Sequence, residues 1–189
     1  MAREIITIAG SLGSGKSSTA KGVANRLGFR HFSSGDLFRK IAKERGVSVE
    51  AINLTAEEQQ DIDYRVDELL REMYKTAERI VIDSRMAWHW MPESFKVFLQ
   101  LDADTAAERI FSHMQGEGRE SEEAASVREV RESIDRRFAS EQKRYFALYK
   151  VNATDLSNFN IVVDTKHNDL PTVISMVLAA YEAWHTESV

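Results

Sequence analysis

Residues Gly10-Ser11-Leu12-Gly13-Ser14-Gly15-Lys16-Ser17-Ser18 carry the spacing G-x-x-x-x-G-K-[ST], directly after an apolar strand-like run and directly before a helical segment. Here the spacing is the chemistry. Gly10, Gly13 and Gly15 permit backbone angles closed to other residues, so successive N–H groups can turn inward on one anion, with the positive end of the helix starting at Lys16 behind them. The Lys16 ammonium reaches β- and γ-phosphates, and the Ser17 hydroxyl is a hard oxygen ligand for Mg²⁺. The expected ATP-binding set is Ser11, Gly13, Ser14, Gly15, Lys16, Ser17 and Ser18.

A second group of charges lies far along the chain. Arg137, Glu141 and Arg144 follow each other at i, i+4 and i+7, which puts them on one helical face over roughly 10 Å. Two guanidiniums could close over a transferring phosphoryl group with Glu141 fixing their planes. Arg128, Arg131 and Arg136 read as ordinary ion-paired surface residues of the same helix. Ser33-Ser34-Gly35-Asp36-Leu37-Phe38-Arg39 is a polar turn opening a helix, with Arg39 one turn past Gly35; a bland reading makes Ser34 an N-cap and Arg39 a solvated arginine. Asp63 and Asp67 share a helical face, and either could meet a base amino group or a ribose. Trp88-His89-Trp90 could stack on a base or simply pack at a strand-to-helix junction.

These residues need a frame, and the apolar pattern supplies one. Short β-branched runs at Ile5 to Ala9, Ile80 to Ile82, Val97 to Leu101 and Ile161 to Val163, with a weaker one at Phe29 to Phe32, alternate with segments of helical period. That alternation predicts a buried parallel sheet. A helix is expected from Lys16 to Leu27, ending at Gly28, and a last one from about Asn168–Pro171 to Trp184. Residues 57–78 and 120–149 read as polar, charged helices that cover something, with Gly116 and Gly118 as a hinge before the second.

Composition narrows the ligand. The chain has 189 residues, 43% of them hydrophobic, and no cysteine, so one domain with a real core is expected, without disulfide, zinc ribbon or thiol chemistry. The five histidines show no i,i+4 pairing, so a metal would be held by oxygen. A net charge of −5 argues against nucleic acid, while 16 of the 25 cationic residues are arginine, the side chain suited to bidentate phosphate contacts. No apolar run has membrane-spanning length and the N-terminal run is too short for a signal peptide, so a soluble, cytoplasmic protein without a membrane partner is expected.

The phosphate loop identifies a triphosphate but not a reaction. A GTPase would need an N-K-x-D element, which is absent, and motor or transporter ATPases have far longer chains. A small kinase remains, and the chain resembles the cytidylate kinases, most closely their short archaeal type. The resemblance rests on the phosphate loop, the S-G-x-x-[FY]-R segment from Ser34 to Arg39, Asp83-Ser84-Arg85, the Arg-Tyr-x-x-x-Tyr run from Arg144 to Tyr149, Asp155-Leu156-Ser157 and Val162-Val163-Asp164-Thr165. It departs at His113 and Met86, and at Lys150-Val151-Asn152 in place of Gly-Ile-Asp.

What the resemblance implies is a three-layer α/β P-loop fold with a five-stranded parallel sheet, one kinase domain over residues 1–189, acceptor-binding helices over 33–78 and a lid over 115–150. ATP and CMP or dCMP would be the substrates and Mg²⁺ the cofactor. Ser34, Gly35, Arg39, Asp63 and Arg85 would bind the acceptor, Ser34 at the cytosine and Arg39 and Arg85 at its phosphate. Lys16, Arg137 and Arg144 would be catalytic, and Ser17 with Asp83, the latter through water, would serve the metal. Other small P-loop kinases, acting on UMP, AMP, a nucleoside or a shikimate-like metabolite, are the alternatives, as is a nucleotide-binding regulator without turnover. The adenylate version is disfavoured by Asp83-Ser84-Arg85-Met86-Ala87, which replaces its Asp-Gly-Phe-Pro-Arg segment.

Overall fold

A computed structural model describes residues 4–47, 51, 61–76, 78–117 and 126–187, with only the backbone at 61–63, 116 and 117. In chain order the elements are β1 (Ile5–Gly10), α1 (Lys16–Leu27), β2 (Arg30–Ser33), α2 (Ser34–Arg45), α3 (Asp61–Thr76), β3 (Ile80–Asp83), α4 (Ala87–Trp90), β4 (Phe95–Gln100), α5 (Ala103–Glu117), α6 (Val127–Tyr149), a 3₁₀ turn at Leu156–Asn158, β5 (Ile161–Asp164) and α7 (Leu170–Glu187). Every strand expected from the apolar runs is present, shifted by at most two residues at an end. The starts of the helices expected at 57–78 and 120–149 lie outside the described residues, as does Gly118, while Gly116 lies inside α5 one residue from its end.

The five strands form one parallel sheet in the order β2-β3-β1-β4-β5. Alternation along β1 divides the core. Ile6 and Ile8 face a cluster with Val23 of α1, Val97, Leu99, and Val173, Val177 and Tyr181 of α7, whereas Ile5 faces Val66 and Leu70 of α3 with Ile80, Ile82 and Met91. Helices on both faces explain why β1 is buried throughout. No helix among the described residues is long and apolar enough to cross a membrane.

Register is what positions the site. Ile8 pairs with Asp83 and Ser33 pairs with the same Asp83, so the carboxyl ends of β1, β2 and β3 stand level. The loop after β1, the turn into α2 and the Asp83-Ser84-Arg85 segment therefore emerge side by side, at the edge of a parallel sheet where ligands usually sit.

Helix ends follow capping chemistry. Gly28 and Gly46 end α1 and α2 in the left-handed conformation. The cap of α2 is Ser33, whose Oγ accepts from the Asp36 N–H at 3.3 Å, one residue earlier than the expected Ser34. Lys150 closes α6 at φ 57°, where a residue with a Cβ pays roughly 1–2 kcal/mol. A glycine at this position would avoid that cost. Near the start of the same helix Arg128 pairs with Glu132, and Arg131 with Asp135 and Asp104, the surface role expected for them.

Candidate active site

The phosphate loop is built around one very close approach. A Cβ on Gly10 would stand 2.3 Å from the Leu99 carbonyl oxygen, and φ there is 147°, so no other residue fits between β1 and β4. Gly13 and Gly15 take φ of 69° and 81°, as the spacing predicts. Gly15 caps α1 without a side-chain hydrogen bond, leaving its first-turn amides to an incoming anion. Two of the expected nucleotide-binding hydroxyls act within the chain: Ser14 Oγ donates to the Ser11 carbonyl at 2.8 Å, and Ser11 Oγ accepts from Leu101 N–H at 3.3 Å. Both hold the loop in shape. Ser18 is exposed on the first turn of α1.

Lys16 folds over the loop, donating from Nζ to the Ser11 carbonyl at 2.7 Å and the Gly10 carbonyl at 3.1 Å. Burial, and next the Arg85 guanidinium, pull its pKa down to about 7, against the opposing pull of Asp83 and Glu141. This is an amine whose charged form would be favoured by negative charge that the loop does not itself supply.

Beside it, Ser17 Oγ donates to Asp83 Oδ2, and Ser33 Oγ donates to the same oxygen at 3.1 Å. The level strand ends bring this cluster together: Asp83 ends β3, Ser33 ends β2 and Ser17 lies in the first turn of α1. Its donor set is hydroxyl and carboxylate oxygen, the hard ligands Mg²⁺ prefers, so the residues fit the expected metal.

The basic groups converge over this edge. Glu141, its side chain 6% exposed, ties two of them: Oε2 lies 2.7 Å from Arg85 Nη1, and Oε1 accepts from Arg137 Nε at 3.1 Å. The carboxylate thus joins α6 to the strand end after β3, a wider role than aligning residues of its own helix. Arg144 is buried and donates to Ser140 Oγ at 2.9 Å. Arg85, Arg137, Arg144, Ser34, Gly35 and Asp67 line one small hollow of about 60 Å³. A larger cavity of about 370 Å³ lies between the start of the phosphate loop, the end of β4 and α6, and it shares Arg85, Glu141 and Tyr145 with the hollow.

Other expected site residues fall differently. Arg39 pairs with Asp36, three residues before it on α2, with about half of its side chain exposed. Its Nη1 lies 3.5 Å from where a Gly35 Cβ would stand, so the missing side chain leaves the guanidinium beside the hollow. The side chain of Asp63 lies outside the described residues. Asp67 is buried, and Trp90 Nε1 donates to its Oδ1 at 2.8 Å. The Trp88-His89-Trp90 run packs rather than lining the hollow: Trp88 is buried against Phe159, its ring centroids 5.4 Å apart, and Trp90 lies under Arg71. The contact between Trp90 and Asp67, 23 residues apart, has no signature in the spacing of either segment.

A parallel sheet in this strand order, with a phosphate loop after its central strand and arginines gathered over its carboxyl edge, defines a P-loop fold of the small-kinase kind. The solved structures agree on the fold: a gluconokinase from Sinorhizobium meliloti superposes with a TM-score of 0.62 at 16% identity, covering 100% of this chain and 99% of that one. A shikimate kinase from Bacteroides thetaiotaomicron gives 0.61 at 16%, covering 97% and 99%. The chain belongs to the cytidylate kinase-like family, whose sequence model matches residues 5–167. Curated relatives include a cytidylate kinase from Methanothrix thermoacetophila, 36% identical over 95% of this chain and 98% of that protein, and one from Haloarcula marismortui, 36% identical over 95% and 90%.

Proposed function

We propose that this chain transfers the γ-phosphoryl group of ATP to CMP or dCMP, releasing ADP and CDP or dCDP. The observation that carries the reading is the convergence of Arg85, Arg137 and Arg144 on one hollow beside Lys16 and the Ser17–Asp83 pair. Mere nucleotide binding does not need so many separate phosphate grips. The cytidine acceptor is supported by the curated relatives, named cytidylate kinases over nearly their whole length.

In this reading the phosphate loop and Lys16 hold the triphosphate, while Ser17 and Asp83 would hold Mg²⁺, which would supply charge neutralisation at the phosphates. Ser34 and Gly35 face the acceptor, with Arg39 and Arg85 at its phosphate. Arg137 and Arg144 close from the lid. No general base is required, because a monophosphate with a second pKa near 6 already presents an anionic oxygen at neutral pH. Alignment and charge stabilisation of a loose in-line transition state do the work, and lid closure keeps water from taking the phosphoryl group. The hollow of about 60 Å³ is far below the 300–1,000 Å³ typical of ligand pockets, so the site must widen to admit a nucleotide.

The test is acceptor profiling: ADP release from ATP with CMP, dCMP, UMP, AMP or shikimate added singly. Release fastest with CMP or dCMP supports the assignment. Release independent of any acceptor, or none with all of them, removes it.

The lowered pKa of Lys16 gives a second expected result. At pH 8, above about 7, the free chain holds this amine mostly neutral, and a bound polyphosphate restores the charged form. ATP binding then takes up nearly one proton per site, visible as buffer-dependent heats in calorimetric titration. The uptake fades below pH 7 and is absent in Lys16→Ala; equal heats in all buffers at pH 8 would contradict the role.

A further inference from the structure

The Arg-Tyr-x-x-x-Tyr run leaves its second tyrosine without a task in the scheme above. Tyr149 is the last residue of α6, and its hydroxyl donates to Oδ2 of Asp67, 82 residues earlier on α3. Oδ1 of the same carboxylate accepts from Trp90 Nε1 of α4 at 2.8 Å. Asp67 is 6% exposed and lines the hollow beneath Arg137 and Arg144. Trp90 is itself held, with the Arg71 guanidinium carbon 4.0 Å from its ring centroid and the Tyr149 ring edge-on at 5.2 Å.

A carboxylate has about four lone-pair sites and, ionised, no proton to give. Donors from two different elements fix its plane, and what remains for the hollow is acceptor capacity alone. Such a group pairs with an N–H of a ligand and sets an unpaired acceptor against a carbonyl, a mismatch costly in a buried site. Cytosine and uracil differ at position 4, amino against carbonyl, and at the adjacent N3, acceptor against N–H, so a fixed carboxylate discriminates when it meets the position-4 substituent.

We propose that Tyr149, together with Trp90, is a positioning residue that holds Asp67 as a fixed acceptor and thereby sets the preference for an amino-bearing base. The inference rests on the nucleoside monophosphate reading and assigns the element that selects within it. Without the Tyr149 hydroxyl the carboxylate loses one of the bonds that set its plane, and the discrimination falls. Because Tyr149 ends α6, the same bond also joins the base-reading group to the helix that carries Arg137 and Arg144.

The experiment is calorimetric titration of the full chain with CMP and with UMP, without ATP, for the wild type, Tyr149→Phe and Trp90→Phe. The wild type is expected to bind CMP more tightly than UMP. In Tyr149→Phe the ratio of the two dissociation constants falls by about tenfold, chiefly through weaker CMP binding, as for one lost hydrogen bond to a charged group, while ATP affinity stays within about twofold. Trp90→Phe moves the ratio in the same direction, which keeps the test open should the tyrosine variant fold poorly. A ratio unchanged in the variants, or CMP and UMP weakened equally, overturns the inference and leaves the kinase reading standing. A wild type that binds neither monophosphate overturns both.

Discussion

Lys16→Ala lowers turnover by roughly 10²–10³, the size seen when one transition-state charge contact is removed, and leaves the fold intact. The ammonium makes two hydrogen bonds, both to carbonyls of its own loop, and in the proposed role it exchanges them for phosphate oxygens of the triphosphate. In the free chain burial and Arg85 already disfavour its charge, so its removal relieves repulsion as well as deleting two bonds. The melting temperature of the variant is therefore expected within a few degrees of the wild type. ADP formation at saturating ATP and CMP checks the first part and calorimetry the second. Unchanged turnover would refute the assignment of the loop.

Arg85→Ala carries the other large effect, and here catalysis and stability move together. The guanidinium stands 2.7 Å from Glu141, with only 18% and 6% of the two side chains exposed. Truncation leaves the nearly buried carboxylate to Arg137 alone, at an expected cost of roughly 1–3 kcal/mol, the penalty for stranding a polar group inside. Turnover falls by roughly 10² or more, with a raised KM for the acceptor, because the role proposed for Arg85 at the acceptor phosphate is lost along with the position of α6. The two effects separate in the double variant Arg85→Ala/Glu141→Gln, where the stranded charge is gone: the melting temperature recovers and turnover stays low. A double variant that recovers both would make Arg85 a structural residue only.

Much of this was legible in the residues because the phosphate loop is local. Its glycines, lysine and serines are consecutive, so their conformation follows from backbone sterics and helix polarity without knowledge of the rest of the chain. The same holds for the strands, whose continuous β-branched runs report burial on both faces, and for Arg137, Glu141 and Arg144, which helical geometry sets on one face. What meets that face is a tertiary fact. Glu141 ties Arg137 to Arg85 through a contact that no spacing encodes, and Asp67 takes its donors from α4 and α6. The cap of α2 moved by one residue because adjacent serines offer the same chemistry, and the register against Asp83 selects Ser33 as the one that turns back. Trp88 and Trp90 are ambiguous for a related reason: an aromatic run announces burial but not which surface buries it.

The strand order carries a consequence for how the chain is made. β1 leaves the ribosome first yet sits in the middle of the sheet, paired with β3 from residue 80 and with β4 from residue 95. At synthesis rates of about 5–20 residues per second, its apolar edges wait roughly 5–20 s for those partners. Pairings this distant in sequence also slow refolding from denaturant, so nascent or refolding chains expose a sticky strand just where a holding chaperone would bind.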